Sequence, residues 1–115
     1  MSIKVSEKAL TVAKAARDKK GENIVILDMK KISDITDFFV VCSASSDRKV
    51  KAIADNITEK LEEKGERVWH SEGYLQALWI LLDCGDVVVH IFRDEIRNFY
   101  ALEKLWADAP LKRLK

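Results

Sequence analysis

The sequence predicts a single α/β domain, in which helices pack on a mixed sheet of about five strands. Two observations support this. Some stretches carry apolar residues at helical spacing, and others are short apolar runs rich in β-branched residues. Their order is helix, strand, strand, helix, strand, strand, strand, helix. This order is typical of helices layered on one sheet, and 115 residues suit one core.

Three stretches are predicted to be helices, namely residues 5–20, 47–64 and 93–107. Gly21 and Gly65 follow the first two, and serines at positions 45 and 46 can cap the second. Pro110 forbids continuation of the third. We therefore expect residues 1–110 to form the domain and the basic residues 111–115 to form a flexible tail.

The remaining apolar runs predict strands over residues 23–29, 38–43 and 67–70, and a hairpin over residues 78–92. The run at 23–29 is too apolar for a sheet edge. The hairpin stretch divides at Cys84 and Gly85. With those two residues as the loop, Asp83 pairs with Asp86 and Trp79 pairs with His90.

Alternation along the strands sorts the hairpin into two faces. The first is wholly aliphatic and is predicted to lie under helices: Leu78, Ile80, Leu82, Val87, Val89 and Ile91. The second mixes aromatic rings, carboxylates and an imidazole: Trp79, Leu81, Asp83, Asp86, Val88, His90 and Phe92.

The mixed face favours contact with a partner. Aromatic side chains anchor interfaces, and charges set their specificity. Asp83 and Asp86 repel each other when they pair across strands, and a cationic partner relieves that repulsion. The alternative is a sheet covered on both sides, with Trp79 and Phe92 in the core. We favour the contact face, because burying two carboxylates and an imidazole is costly.

Charge and hydropathy exclude several classes of protein. The net charge of +1 argues against a protein that coats nucleic acid by bulk charge. Two explanations remain for a group of basic residues. They can form a local contact with RNA, or they can be ordinary solvent-exposed side chains: Lys30, Lys31, Arg48, Lys49 and Lys51. No run is long enough to span a membrane, and the first residues lack a signal core or transit peptide. We expect a cytoplasmic protein.

No pattern of residues predicts catalysis, a metal or a cofactor. The spacing of zinc ligands is absent from the cysteines and histidines, namely Cys42, Cys84, His70 and His90. We expect both cysteines to be reduced. We expect Cys42, which lies in a predicted strand, to be a small buried apolar residue. The serines before the second helix are better explained as caps than as an anion site, because no glycine accompanies them. The Gly-Ser turn and paired carboxylates of a nucleotidyl-transfer site are also missing.

Three motifs resemble the signatures of one family. The first covers residues 34–48 and continues through 50–54, the second joins Glu72-Gly73 and Trp79 to residues 83–92, and the third covers 100–109. In this order and spacing they resemble the Iojap family, the ribosomal silencing factors. Cys84 is a small departure, since the family more often has tyrosine there.

The resemblance implies a nucleotidyltransferase-like fold without catalytic residues, and thus a non-enzyme. It implies binding to the large ribosomal subunit through ribosomal protein fourteen of that subunit, which blocks joining of the small subunit and represses translation under nutrient limitation. Some members form homodimers. The last helix would extend the contact face through Tyr100 and Glu103. A ribosome-assembly module that binds RNA is the alternative, and the basic tail could contact ribosomal RNA.

Overall fold

The computed structural model describes residues 4–100 and 109–114, without the side chains of residues 98–100. Its elements are, in chain order, α1 (Val5–Asp18), β1 (Glu22–Asp28), β2 (Phe38–Ala44), α2 (Asp47–Glu63), β3 (His70–Glu72), β4 (Trp79–Asp83), β5 (Val87–Arg93), α3 (Asp94–Tyr100) and β6 (Leu111–Leu114). The predicted single α/β domain is confirmed, with six described strands where about five were expected.

All the described strands join one sheet in the order β3-β4-β5-β2-β1-β6. The central pair β2 and β5 is parallel, and every other neighbouring pair is antiparallel. A mixed sheet results because the chain between β2 and β5 passes through α2 and two antiparallel strands. As predicted, β1 is an interior strand.

The main core lies between one face of the sheet and the helices α1 and α2. Alanines at positions 9, 13 and 16 line the buried side of α1, so the helix can approach its support closely. The side chain of Asn56 on α2 donates a 2.9 Å hydrogen bond to the carbonyl of Ala15, which ties the two helices together. The aliphatic face of the hairpin faces this core as predicted, except that Leu78 precedes β4 and is exposed.

The expected flexible tail is wrong for residues 111–114, because these residues form β6. They pair antiparallel with β1, from Leu111 opposite Leu27 to Leu114 opposite Ile24. Leu114 packs against the main core, whereas Leu111, Lys112 and Arg113 are exposed. A strand at this edge also satisfies the outer backbone groups of β1.

The hairpin register differs from the prediction by two residues. Trp79 lies opposite Phe92 and Asp83 lies opposite Val88, while the Cys84 amide donates to the Val87 carbonyl. The loop is therefore Gly85-Asp86, with Gly85 at φ +86°. A glycine in the first loop position is typical of a type II′ turn. A shift of two preserves the assignment of side chains to faces along the strands, but Asp86 moves into the loop.

The third strand is also displaced from its predicted range. Residues 70–72 pair with β4, with His70 opposite Asp83 and Glu72 opposite Leu81, whereas residues 67–70 were predicted. The Trp69 amide donates to the Asp83 carbonyl at 2.8 Å, just before the strand begins. This short strand forms the edge of the sheet opposite β6.

Candidate partner-binding site

The candidate site lies on the sheet face that turns away from α1 and α2. Direct cross-strand partners share a face, so the pairing places Leu81, His90 and Val41 in one row across three strands. The next row contains Asp83, Val88 and Phe39. The mixed face predicted from the hairpin is therefore extended by β2, and Phe39 is a residue that the sequence argument missed.

Burial divides this face into a covered part and an open part. Phe92 is fully buried and His90 is only 5% exposed, so the expectation that both side chains are exposed is wrong. Phe92 belongs to a second core cluster, against which Ile96 of α3 packs. Five side chains remain partly exposed, and we call them the site patch: Phe39, Trp79, Leu81, Asp83 and Val88. The face is thus covered over one part, as the alternative interpretation expected, and open over the other part.

An aromatic cluster holds the patch in place from below. The His90 ring lies 4.7 Å from the Phe39 ring and 5.8 Å from the Trp79 ring, between centroids. The indole Nε1–H of Trp79 donates a 3.1 Å hydrogen bond to Nδ1 of His90. Burial lowers the pKa of His90 to about 4, so the imidazole is neutral at pH 7.

The two hairpin aspartates have different surroundings, contrary to the prediction that they act together. Asp83 lies on the patch, and its Oδ1 accepts a hydrogen bond from the Gly85 amide. Asp86 turns towards the helices, where its carboxylate forms a 2.8 Å ion pair with Lys8. Asp86 is therefore held by an ion pair that Lys8 shares with Glu66, and Asp83 is the carboxylate of the pair that the patch presents.

Lys8 is a buried lysine that the sequence argument did not identify. Its ammonium also lies 3.0 Å from Glu66 and donates to the Cys84 carbonyl at 2.7 Å. Burial disfavours the charge, but the hydrogen bonds to Asp86 and Glu66 outweigh it and raise the pKa of Lys8. The sequence feature that could have revealed Lys8 is its position on the apolar stripe of α1, because a charge can be buried there only with an oppositely charged partner.

Gly73 supports the patch from the loop before β4. A Cβ on this residue would lie 2.1 Å from the Trp79 carbonyl oxygen, and its φ of +82° favours glycine. The Glu72-Gly73 motif therefore has a steric explanation, since only glycine lets the loop approach the strand that carries Trp79.

Two predicted site residues are not placed. Glu103 lies outside the described residues, and the side chain of Tyr100 is likewise not described, although its backbone ends α3. Their contribution to the patch stays a prediction.

Two cysteines and the serine before α2 have positions that the fold explains. Cys42 and Cys84 are buried, and burial raises the pKa of each thiol to about 12. The Ser46 side chain caps α2 by accepting from the Lys49 amide, as predicted. Within residues 4–100 and 109–114, no group of three histidine, cysteine or carboxylate side chains could hold a metal ion. No described helix is both long and apolar enough to cross a bilayer.

The comparisons with known proteins agree with the motifs. A model of the family described as ribosomal silencing factor during starvation matches residues 2–115. The ribosomal silencing factor RsfS of Bacillus subtilis is 48% identical over 99 residues, which cover 86% of this chain and 84% of that protein.

Two solved structures share the fold. A Chromobacterium violaceum protein solved by X-ray crystallography aligns with a TM-score of 0.89 at 35% identity, over 91% of this chain and 88% of its own. A Bacillus halodurans crystal structure aligns with a TM-score of 0.83 at 43% identity, over 95% of this chain and 99% of its own. Sequence motifs, family model and fold lead to one conclusion: the chain belongs to the family of ribosomal silencing factors.

Proposed function

We propose that this chain binds the large ribosomal subunit through ribosomal protein fourteen of that subunit. Bound there, it blocks joining of the small subunit on cytoplasmic ribosomes and so represses translation when nutrients are limiting. The observation that carries the proposal is the site patch, a group of partly exposed aromatic and aliphatic side chains with one carboxylate on one face of the sheet.

The composition of the patch suits a cationic protein partner. Trp79, Leu81 and Phe39 offer apolar area for anchoring, and aromatic anchors contribute most to interface energy. Asp83 supplies the charge that orients a basic partner and speeds its association. Asp86 lies in the hairpin loop and is paired with Lys8, so the proposal assigns the charge of the contact to Asp83 alone.

The proposed mechanism is steric and needs no chemical step. The described part of the chain measures 34 × 33 × 26 Å, so a bound copy beside the subunit interface would occupy space that the small subunit needs. In keeping with a non-enzyme, both cysteines are buried with a raised thiol pKa. His90 is buried and neutral at pH 7.

A subunit-joining assay tests the mechanism. Purified large and small subunits are mixed with the protein, and the joined ribosome is measured on sucrose gradients. The proposal expects the joined fraction to fall as protein is added, with the protein migrating only with the large subunit. Joining that is unchanged at saturating protein would contradict the proposal.

A second candidate, direct contact with ribosomal RNA in ribosome assembly, is favoured by one observation. Lys112 and Arg113 are exposed on β6, in an ordered edge strand. Basic side chains on such an edge can contact phosphates, and the contact would be sensitive to salt. The test is binding of the protein to free ribosomal RNA. Loss of this binding in the double variant Lys112→Glu/Arg113→Glu would support the second function. Binding that is unchanged in the double variant would show that β6 is not the RNA-contacting surface.

A homodimer, which the family resemblance implies for some members, would fit the β3 edge. If two copies of β3 pair antiparallel about Ser71, then His70 of each copy faces Glu72 of the other, as a two-fold interface requires. Oxidation of Ser71→Cys would then trap a covalent dimer, and oxidation of Gln76→Cys, at another exposed position, would not. Equal trapping of both would contradict this interface.

A further inference from the structure

A buried hydrogen-bond donor lies beneath the site patch. Nδ1 of His90 accepts the Trp79 indole N–H, which can only donate, so the proton of the neutral imidazole resides on Nε2. Nε2 is buried, yet it has no hydrogen-bond partner among the residues that the structure describes. An unpaired buried donor is unfavourable, and such a group in a native protein requires an explanation.

Partly exposed side chains lie beside the ring that carries this donor. Leu81 on β4 and Val41 on β2 flank His90 directly in the cross-strand row. Phe39 stacks at a tilt beside the ring. Of these neighbours, Leu81 and Phe39 are themselves partly exposed. Two members of the site patch therefore lie directly beside the imidazole, and the inference requires a docked partner to displace them.

We propose that Nε2–H of His90 is donated to a neutral oxygen acceptor of the bound partner, namely a main-chain carbonyl. This inference rests on the proposed function, because it takes the site patch as the contact surface. A neutral acceptor is favoured over a carboxylate, since Asp83 makes the patch acidic. His90 therefore determines specificity from within the protein, as it accepts from Trp79 on one side and donates to the partner on the other.

Nuclear magnetic resonance of the full chain, with ¹⁵N in histidine and tryptophan, tests the proposal. Unlabelled ribosomal protein fourteen is added, and the Trp79 indole signal, assigned with Trp79→Phe, reports docking on the patch. The proposal expects the Nε2–H signal of His90 to move downfield and exchange more slowly with water when the Trp79 signal moves.

The two failures are distinguishable. If the Trp79 signal moves while the His90 Nε2–H signal stays, the hydrogen bond is wrong and the proposed contact surface stands. If neither signal moves although the proteins bind, the site patch is wrong and both proposals are overturned. If the proteins do not bind, the proposed partner is wrong, and the inference falls with it.

A matched pair of variants gives an independent measurement. In His90→Asn, the amide oxygen can replace Nδ1 and accept from Trp79, but no donor remains at the Nε2 position. In His90→Gln, the amide nitrogen can replace Nε2, but the acceptor for Trp79 is lost. Spectra first show that both variants are folded. We then expect His90→Asn to bind ribosomal protein fourteen about fivefold more weakly than wild type. The loss of affinity in His90→Gln should be smaller. The reverse order would mean that His90 only holds Trp79, which overturns the proposal.

Discussion

The indole N–H of Trp79 donates to Nδ1 of His90 at 3.1 Å, between diagonal neighbours on β4 and β5. This bond fixes the orientation of a partly exposed tryptophan through a buried histidine. It also makes the stability of the domain depend on the charge of that histidine, because an imidazolium cannot accept the indole proton.

We predict a loss of stability in mild acid that originates at His90. Its pKa is about 4 in the folded state and 6.5 when unfolded, so below pH 6.5 the unfolded chain binds a proton that the folded chain does not. Stability is full above pH 6.5 and falls towards pH 4, by about 3 kcal/mol in all. Urea unfolding from pH 7 to 4.5 measures this. The loss should shrink in His90→Phe, and an unchanged loss would contradict the assignment.

The two turn glycines should respond differently to alanine. At Gly73 a Cβ would lie 2.1 Å from the Trp79 carbonyl, whereas at Gly85 nothing lies within 4 Å, and both have positive φ. Gly85→Ala carries only the backbone strain, about 1 kcal/mol. Gly73→Ala must also displace β4, so we expect a larger loss of unfolding free energy and weaker ribosome binding. Denaturant unfolding measures both variants. An equal loss of unfolding free energy in both would show that the backbone around residue 73 moves to accommodate the added Cβ at no cost.

Lys8→Met should destabilise the domain by about 2 kcal/mol, because it leaves Asp86, Glu66 and the Cys84 carbonyl without their shared donor. Lys14→Met, at an exposed position of the same helix, is the matched control and should change stability little. Thermal unfolding of the two variants is the measurement. A similar effect of both would mean that the buried ammonium contributes no more than a surface one.

Both thiols should resist alkylation in the native protein. At pH 8 a thiol with a pKa near 12 has almost no thiolate, and burial blocks the reagent from Cys42 and Cys84. Iodoacetamide followed by mass spectrometry should find neither residue modified before urea is added and both modified afterwards. Rapid native modification of Cys84 would show that the hairpin end opens.

Local patterns predicted most of this fold. The apolar stripes of α1 and α2 gave their ranges within a few residues, and alternation gave the correct faces of β4 and β5. The hairpin register failed because Cys84-Gly85 and Gly85-Asp86 are both plausible loops locally. The deciding contacts are distant in sequence, since the Asp86 carbonyl accepts from the amides of Asp37 and Phe38.

The site was harder to predict than the fold. Alternation placed Trp79, Leu81 and Asp83 on one face, but it could not show that His90 and Phe92 of the same face are buried. Phe39 reaches the patch only because β2 pairs with β5, a contact across almost 50 residues. Asp86 was misassigned because its partner, Lys8, lies on a helix at the other end of the chain.

The central claim is that the site patch binds the large ribosomal subunit. The most direct measurement is co-sedimentation of the purified protein with isolated subunits, comparing wild type with Trp79→Ala/Asp83→Asn. The asparagine keeps an acceptor for the Gly85 amide and removes only the charge. The control, Trp69→Ala/Glu59→Gln, removes an exposed tryptophan and an exposed carboxylate outside the patch.

We predict that wild type and the control sediment with the large subunit alone, and that the patch variant stays in the supernatant while remaining folded. Binding of the patch variant at wild-type strength would contradict the placement of the site. Failure of the wild type to bind the large subunit would contradict the proposed function itself.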